Sequence, residues 1–119
     1  MKRIIILMGV FGLILSCDDI IEVENISNQR VTILAPSNNS VLIQNDITFT
    51  WNSLEDADNY RIQIVTPSFE NASQIILDSL VSVTNLSNSL SSGDYQWRVR
   101  AENSEYQTTY TIQNFSIEQ

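Results

Sequence analysis

Side chains able to do chemistry are few in this sequence. The single cysteine, Cys17, directly follows an apolar run, in Leu13-Ile14-Leu15-Ser16-Cys17-Asp18-Asp19. A lone thiol has no disulfide partner within the chain and cannot build a thiolate cluster. There is no histidine, which excludes Ser-His-Asp and Cys-His nucleophilic sites and zinc sites built on imidazole. The three glycines, Gly9, Gly12 and Gly93, are too few and misplaced for a phosphate-cradling loop. Carboxylates remain, and Glu55, Asp56 and Asp58 cluster between Trp51 and Tyr60. Their oxygens could hold calcium, but the spacing lacks the glycine and distal bidentate glutamate of a loop-type site, and a solvated acidic loop is the simpler account. A paired-carboxylate glycosidase needs a cleft, which a small β domain rarely has. The expectation is a protein without a cofactor and without catalytic residues.

The elements that hold these residues begin with a targeting signal, expected over residues 1–16. Lys2 and Arg3 give a positive start, Ile4 to Leu15 are uncharged and apolar apart from two glycines, and small Ser16 precedes Cys17. The run is too short to span a bilayer comfortably and has the three-part layout of an export signal. Ile14-Leu15-Ser16-Cys17 resembles the lipobox of bacterial lipoproteins. That resemblance implies cleavage before Cys17, a diacylglyceryl group on its sulfur and usually a further acyl chain. Two or more chains hold a protein stably on a membrane, so Cys17 is read as an anchor. Asp18, Asp19, Glu22 and Glu24 follow within seven residues of it. As a charge run they keep a tether off an anionic membrane. In some bacterial groups such acids resemble a mark for export to the outer face of the outer membrane, whereas in enterobacteria an aspartate at position 18 favours inner-membrane retention. The Asn-, Ile- and Ser-rich composition, free of lysine beyond Lys2, leans towards the outer membrane and the cell surface.

Length and charge bound the rest. A chain of 119 residues, 43% of them apolar, has room for one domain with a real core. The net charge is −8, and beyond Lys2 and Arg3 the only cations are Arg30, Arg61, Arg98 and Arg100. Four scattered arginines make no basic groove, which argues against nucleic acid as a partner. Residues 17–30 read as the lipidated cysteine and an acidic tether, and 31–119 as an all-β domain. Val31 to Ala35 ends at Pro36 before a Ser-Asn-Asn-Ser turn cluster. Ile47, Phe49 and Trp51 alternate with Thr48 and Thr50; Tyr60, Ile62 and Ile64 with Arg61 and Gln63; Tyr95, Trp97, Val99 and Ala101 with Gln96, Arg98 and Arg100. Ile75 to Leu80 and Val81 to Leu86 are two further candidate strands around Asp78-Ser79. Tyr110, Ile112, Phe115 and Ile117 close the chain, with a phase change near Asn114 that suggests a bulge. No window past residue 20 keeps a helical period. Seven short strands in this pattern fit an antiparallel two-sheet sandwich.

From about Leu34 to Ile117 the sequence resembles the fibronectin type III-like, immunoglobulin-like modules of bacterial extracellular proteins. The resemblance rests on LAPSNNSVLIQNDITFTW, on ADNYRIQIV with a trailing Phe69, on GDYQWRVRAEN and on the closing FSI. Trp51 matches the tryptophan of the second strand, Tyr60 the tyrosine opening the third, and Tyr95 to Val99 the sixth-strand signature. Ser91-Ser92-Gly93-Asp94 departs from the family, which usually has a proline before the glycine. Asp78-Ser79-Leu80 resembles a short O-glycosylation sequon of some Bacteroidetes and reads equally well as a turn.

Two function classes are compatible with this sequence. One is a non-catalytic recognition or adhesion module on the envelope, contacting a protein or a glycan. The other is a structural or spacer subunit of a larger outer-membrane assembly, docked edge-on to a partner. For recognition the residues singled out are Tyr106 with Glu102, Asn103 and Glu105, in the segment ENSEYQTTY between the last two strands. An exposed tyrosine there could stack on a sugar or anchor a protein contact, with its neighbours as hydrogen-bond acceptors. It could equally cover the open end of the core.

Overall fold

The computed structural model describes residues 22–119; the signal segment and Cys17 lie outside them. Eight strands form in order: β1 (Ile33–Ala35), β2 (Ser40–Leu42), β3 (Asp46–Trp51), β4 (Asn59–Thr66), β5 (Gln74–Val81), β6 (Asn85–Ser89), β7 (Gly93–Glu102) and β8 (Thr111–Ile117). They make a three-stranded sheet, β1-β3-β6, facing a five-stranded sheet, β2-β8-β7-β4-β5. The expected all-β sandwich is the observed architecture. The one strand more than expected is β2, a three-residue run just after the turn cluster that the sequence pattern left unassigned. Pro36 lacks the N–H a ladder needs, and Asn39 takes a left-handed φ of 64°. The chain therefore leaves β1 in one sheet and re-enters as β2 in the other, parallel to β8. All other pairings are antiparallel.

The core lies between the sheets. Ile47, Phe49 and Trp51 of β3 meet Tyr60, Ile62 and Ile64 of β4, Tyr95, Trp97 and Val99 of β7, and Phe115 and Ile117 of β8. Phe49 packs edge-on to Trp97 at 4.8 Å and to Phe115 at 5.7 Å, Trp51 packs edge-on to Tyr60 at 5.9 Å, and Tyr95 stacks on Phe115 at 5.3 Å. Such pairs add to simple area burial. The Tyr95 hydroxyl donates to the Ser91 carbonyl at 2.7 Å, closing the β6–β7 corner. Beside it Gly93 sits at φ 153°, which side-chain-bearing residues rarely adopt. Among the described residues the buried indole N–H groups of Trp51 and Trp97 meet no acceptor.

Three expectations need correction. Residues 17–30 are not tether throughout, because Ile26 is 0% exposed and belongs to the core. A single apolar side chain in a polar stretch shows no period, so nothing in the sequence pattern marks it. No bulge occurs at Asn114: β7 and β8 pair without a register shift from Gly93↔Ile117 to Val99↔Thr111. Phase is kept, so Ile112 turns outward and Thr111 and Gln113 take inward positions. Asp78-Ser79 is no turn but the middle of β5, and the turn falls at residues 82–84.

The registers also fix the two poles. The 22–32 segment, the β3–β4 loop, the β5–β6 turn and the β7–β8 loop share one end. The β2–β3, β4–β5 and β6–β7 connections share the other.

Two substitutions probe this packing. Trp97→Ala should cost about 3–5 kcal/mol, a large part of the ~5–15 kcal/mol typical of a domain, measured by denaturant unfolding. Ile26→Ala should cost about 2–5 kcal/mol by the same measurement. A tether residue would show no change.

Candidate functional site

The site follows from the two-residue period of three neighbouring strands. On β7 the odd positions Tyr95, Trp97, Val99 and Ala101 are buried, which sends Gln96, Arg98, Arg100 and Glu102 to the outer face. Antiparallel partners share a face, so the ladder aligns rows across the sheet: Leu80–Arg61–Arg100, then Asp78–Gln63–Arg98–Ile112, then Ile75–Val65–Gln96–Asn114. Three of the four arginines among the described residues thereby stand on one face, and Arg30 reaches its edge, donating to the Tyr110 carbonyl at 3.3 Å.

Aromatic rings interleave with these cations. The Arg98 guanidinium lies 4.0 Å from the Phe69 ring centre and 4.2 Å from that of Tyr110, and Arg100 lies 4.7 Å from the Tyr110 ring. Cation–π contact of this kind is strongest for desolvated groups. Hydrogen bonds orient the forks: Arg98 Nε donates to Gln63 Oε1 at 2.7 Å, and Arg100 Nε to Glu102 Oε2 at 2.9 Å. Among the described residues the terminal nitrogens of both arginines donate to no protein acceptor. Arg61 is committed differently. Its Nη1 donates to Asp78 at 3.0 Å, and its Nε lies 3.8 Å from Glu102. The hydrogen bond to Asp78 is the main reason its pKa is raised, with burial opposing and the Asp78 and Glu102 charges adding. An exposed pair of this kind adds little to stability.

The β4–β5 loop completes the site. The Phe69 N–H donates to Gln96 Oε1 at 2.7 Å, folding the loop back over the sheet so that Val65, although on the outer row, is buried. A half-enclosed cleft of about 150 Å³ results, lined by Gln63, Val65, Phe69, Ala72, Ile75, Asp78 and Arg98. Its floor is apolar, and guanidinium and carboxylate groups stand on its walls. A larger, shallower cleft of about 310 Å³ near the opposite pole is lined by Ser40, Asp94, Asn114 and their neighbours and contains no cation.

The residues singled out in the sequence lie together at the pole bearing the N-terminal segment, but in mostly structural positions. Asn103 ties that pole together: its side-chain oxygen accepts the N–H groups of Glu105 and Tyr106, and its nitrogen donates to the carbonyls of Glu24 and Asp56. Tyr106 is half-buried and packs against the core. Glu102 is held by Arg100 and Arg61, and Glu105 is exposed. Glu55, Asp56 and Asp58 are exposed in the β3–β4 loop, Asp56 at φ 71°, and no group of three metal-ligating side chains gathers among the described residues. Ser79 is half-buried and takes an inward position opposite Ile62. Cys17 lies outside the described residues.

The arginine face itself was missed. Its signal is present as Arg61-x-Gln63 and Gln96-x-Arg98-x-Arg100 at out-of-phase positions, but only the β4–β7 pairing puts the two sets side by side. Tyr110 escaped because a bulge was expected where none forms.

Known structures place this architecture. A fibronectin type III domain of the human KIAA0970 protein matches 74% of this chain and 72% of its own, at 14% identity and a TM-score of 0.54. FN3tt matches with 13% identity over 76% of this chain and 97% of its own, at 0.53. The fold is fibronectin type III-like. An Fn3-like protein from Clostridium thermocellum agrees, with 18% identity over 75% of this chain and 88% of its own, at 0.50. At these identities the likeness concerns the fold alone. No protein-family model and no curated protein sequence matches the chain.

Asn103→Ala should lower stability by about 1–3 kcal/mol, because two backbone N–H groups and two carbonyls lose their partner. Tyr106→Ala should also lower the melting temperature, as the ring closes that end of the core. Thermal unfolding of both variants checks this, and an unchanged midpoint for Tyr106→Ala would free that residue for a contact role.

Proposed function

We propose that this protein is a non-catalytic recognition module, held on the cell envelope by lipid on Cys17, whose contact surface is the outer face of the five-stranded sheet. The observation that carries the reading is the Phe69–Arg98–Tyr110–Arg100 stack: cations fixed in place, whose terminal donors meet no protein acceptor among the described residues, on a domain whose charge is otherwise acidic. Fixed donors lose little entropy on binding, and arginine with aromatic neighbours is the composition that dominates binding energy at interfaces.

The course of the N-terminal segment decides how such a tether would orient the domain. Glu24 is pinned to Asn103 through its carbonyl, and the stretch from Cys17 to Glu24 spans at most roughly 23–25 Å. A lipid on Cys17 would therefore turn the pole of the β3–β4 and β7–β8 loops towards the membrane. That pole carries Glu55, Asp56, Asp58 and Glu105, which an anionic lipid surface repels. In this orientation the sheet faces point sideways and the opposite pole points outward. The Tyr106 loop faces lipid, a poor position for capturing a distant partner. The acids after Cys17 fit residence in the outer membrane with the domain outside.

The spacer reading keeps one observation of its own. β5 is an eight-residue edge strand, with Ile75 67% exposed, Leu80 also exposed and Val83 exposed in the turn that follows. Such an edge can pair with a strand of another subunit, as edge-on docking in an assembly requires.

Cys17→Ser in the full chain should abolish membrane attachment or leave the uncleaved form accumulating, read by fractionation and metabolic lipid labelling. A cleaved Cys17→Ser protein that stays in the membrane fraction would place the anchor elsewhere.

A further inference from the structure

We propose that the ligand of the arginine face is an acidic polysaccharide, whose carboxylates are held by Arg98 and Arg100 and one of whose sugar rings lies in the cleft beside Arg98. This rests on the recognition reading above and names its ligand class.

Charge selects the ligand first. Arg30, Arg61, Arg98 and Arg100 all stand on or at the edge of this face, where Asp78 and Glu102 neutralise only part of their charge. Guanidinium forks match carboxylates in plane and spacing, and those of Arg98 and Arg100 keep their terminal nitrogens unpaired by protein among the described residues.

The cleft selects next. Val65, Ala72 and Ile75 give an apolar floor, while Gln63, Asp78 and Arg98 stand round it. A sugar ring has this duality, with an apolar C–H face and hydroxyls at its rim. A uronate ring would set its C–H face on Ala72 and Ile75, its hydroxyls against Gln63 and Asp78, and its carboxylate on Arg98. Its neighbour along the chain would meet Arg100. The Phe69 and Tyr110 rings already face guanidinium groups, so a neutral glycan that needs an open aromatic platform is not favoured.

An acidic peptide fits less well. Arg98 and Arg100 sit on β7, which is hydrogen-bonded to β4 on one side and β8 on the other. A peptide crossing this face would find no backbone donors or acceptors for its own backbone, whereas a polysaccharide needs only the side chains present. Membrane headgroups are disfavoured by position, since the acidic pole, not this face, adjoins the tether.

The test titrates the full chain, in neutral detergent, with an oligogalacturonate, with a neutral glucan oligomer of the same length and with poly-L-glutamate, by calorimetry at two salt concentrations. Saturable binding of the oligogalacturonate alone, weaker at higher salt, is expected. Arg98→Gln with Arg100→Gln should weaken it by about tenfold or more, and Arg98→Lys should weaken it while the charge is kept. Melting temperatures, measured on the same samples, establish that the variants are folded.

Equal or tighter binding of poly-L-glutamate would overturn the proposal in favour of an acidic protein partner. Absence of saturable oligogalacturonate binding, or binding unchanged in the folded double variant, would also overturn it. Retention on detergent-insoluble cell-envelope material, in the same neutral detergent so that the lipid makes no contribution, and lost in the double variant, separates the two levels. If that retention is present but oligogalacturonate does not bind, the ligand class is wrong and the recognition reading stands; if both are absent, both fall.

Discussion

The rest of this structure depends on the unbroken register of β4, β7 and β8. Side chains on a strand change face at every residue, so a slip of one position would exchange Trp97 and Val99 for Arg98 and Arg100 in the core. Burial of the tryptophan fixes the register, and the register in turn fixes the arginines on the outer face. The two surfaces of the sheet are therefore one constraint seen from both sides. The edge-to-face contacts from Trp97 to Phe49 and from Phe49 to Phe115 carry that constraint across to the opposing sheet and along to β8.

A second constraint acts on the pole of the N-terminal segment. Ile26 enters the core, Glu24 is bonded to Asn103, and Asn103 also holds the β3–β4 loop through Asp56. These contacts fix where the polypeptide leaves the domain. Under the proposed lipid tether the exit point decides which surfaces remain accessible, so a buried isoleucine and an amide side chain bear on function as much as any contact residue. Asparagine suits the task because one short side chain offers both an acceptor and two donors.

The arginine face shows how a strongly acidic protein can carry a cationic surface. The sequence order does not reveal it, because Arg61 lies on a different strand from Arg98 and Arg100 and acids flank both stretches. Asp78 and Glu102 moderate repulsion among the guanidinium groups without neutralising all of them. Phe69 and Tyr110 shield two of the planes and hold them upright. Fixed geometry of this kind favours ligand groups of matching shape over diffuse counter-ions.

By itself the sequence determined what depends on local period and composition. Alternation placed Phe49, Trp51, Tyr60, Ile62, Tyr95, Trp97 and Val99 on inner faces, and the absence of histidine removed whole classes of chemistry, because neither property needs a partner strand to be known. Tertiary structure decided what depends on pairing over distance. Arg61 and Arg100 are 39 positions apart yet face each other across one ladder step. Tyr110 and Asn103 took their roles from strands and loops far away in the chain, and Ile26 joined the core without any periodic neighbour to announce it. A single side chain carries no period, and a face is a property of several strands at once, so these features became legible only when the chain had closed on itself.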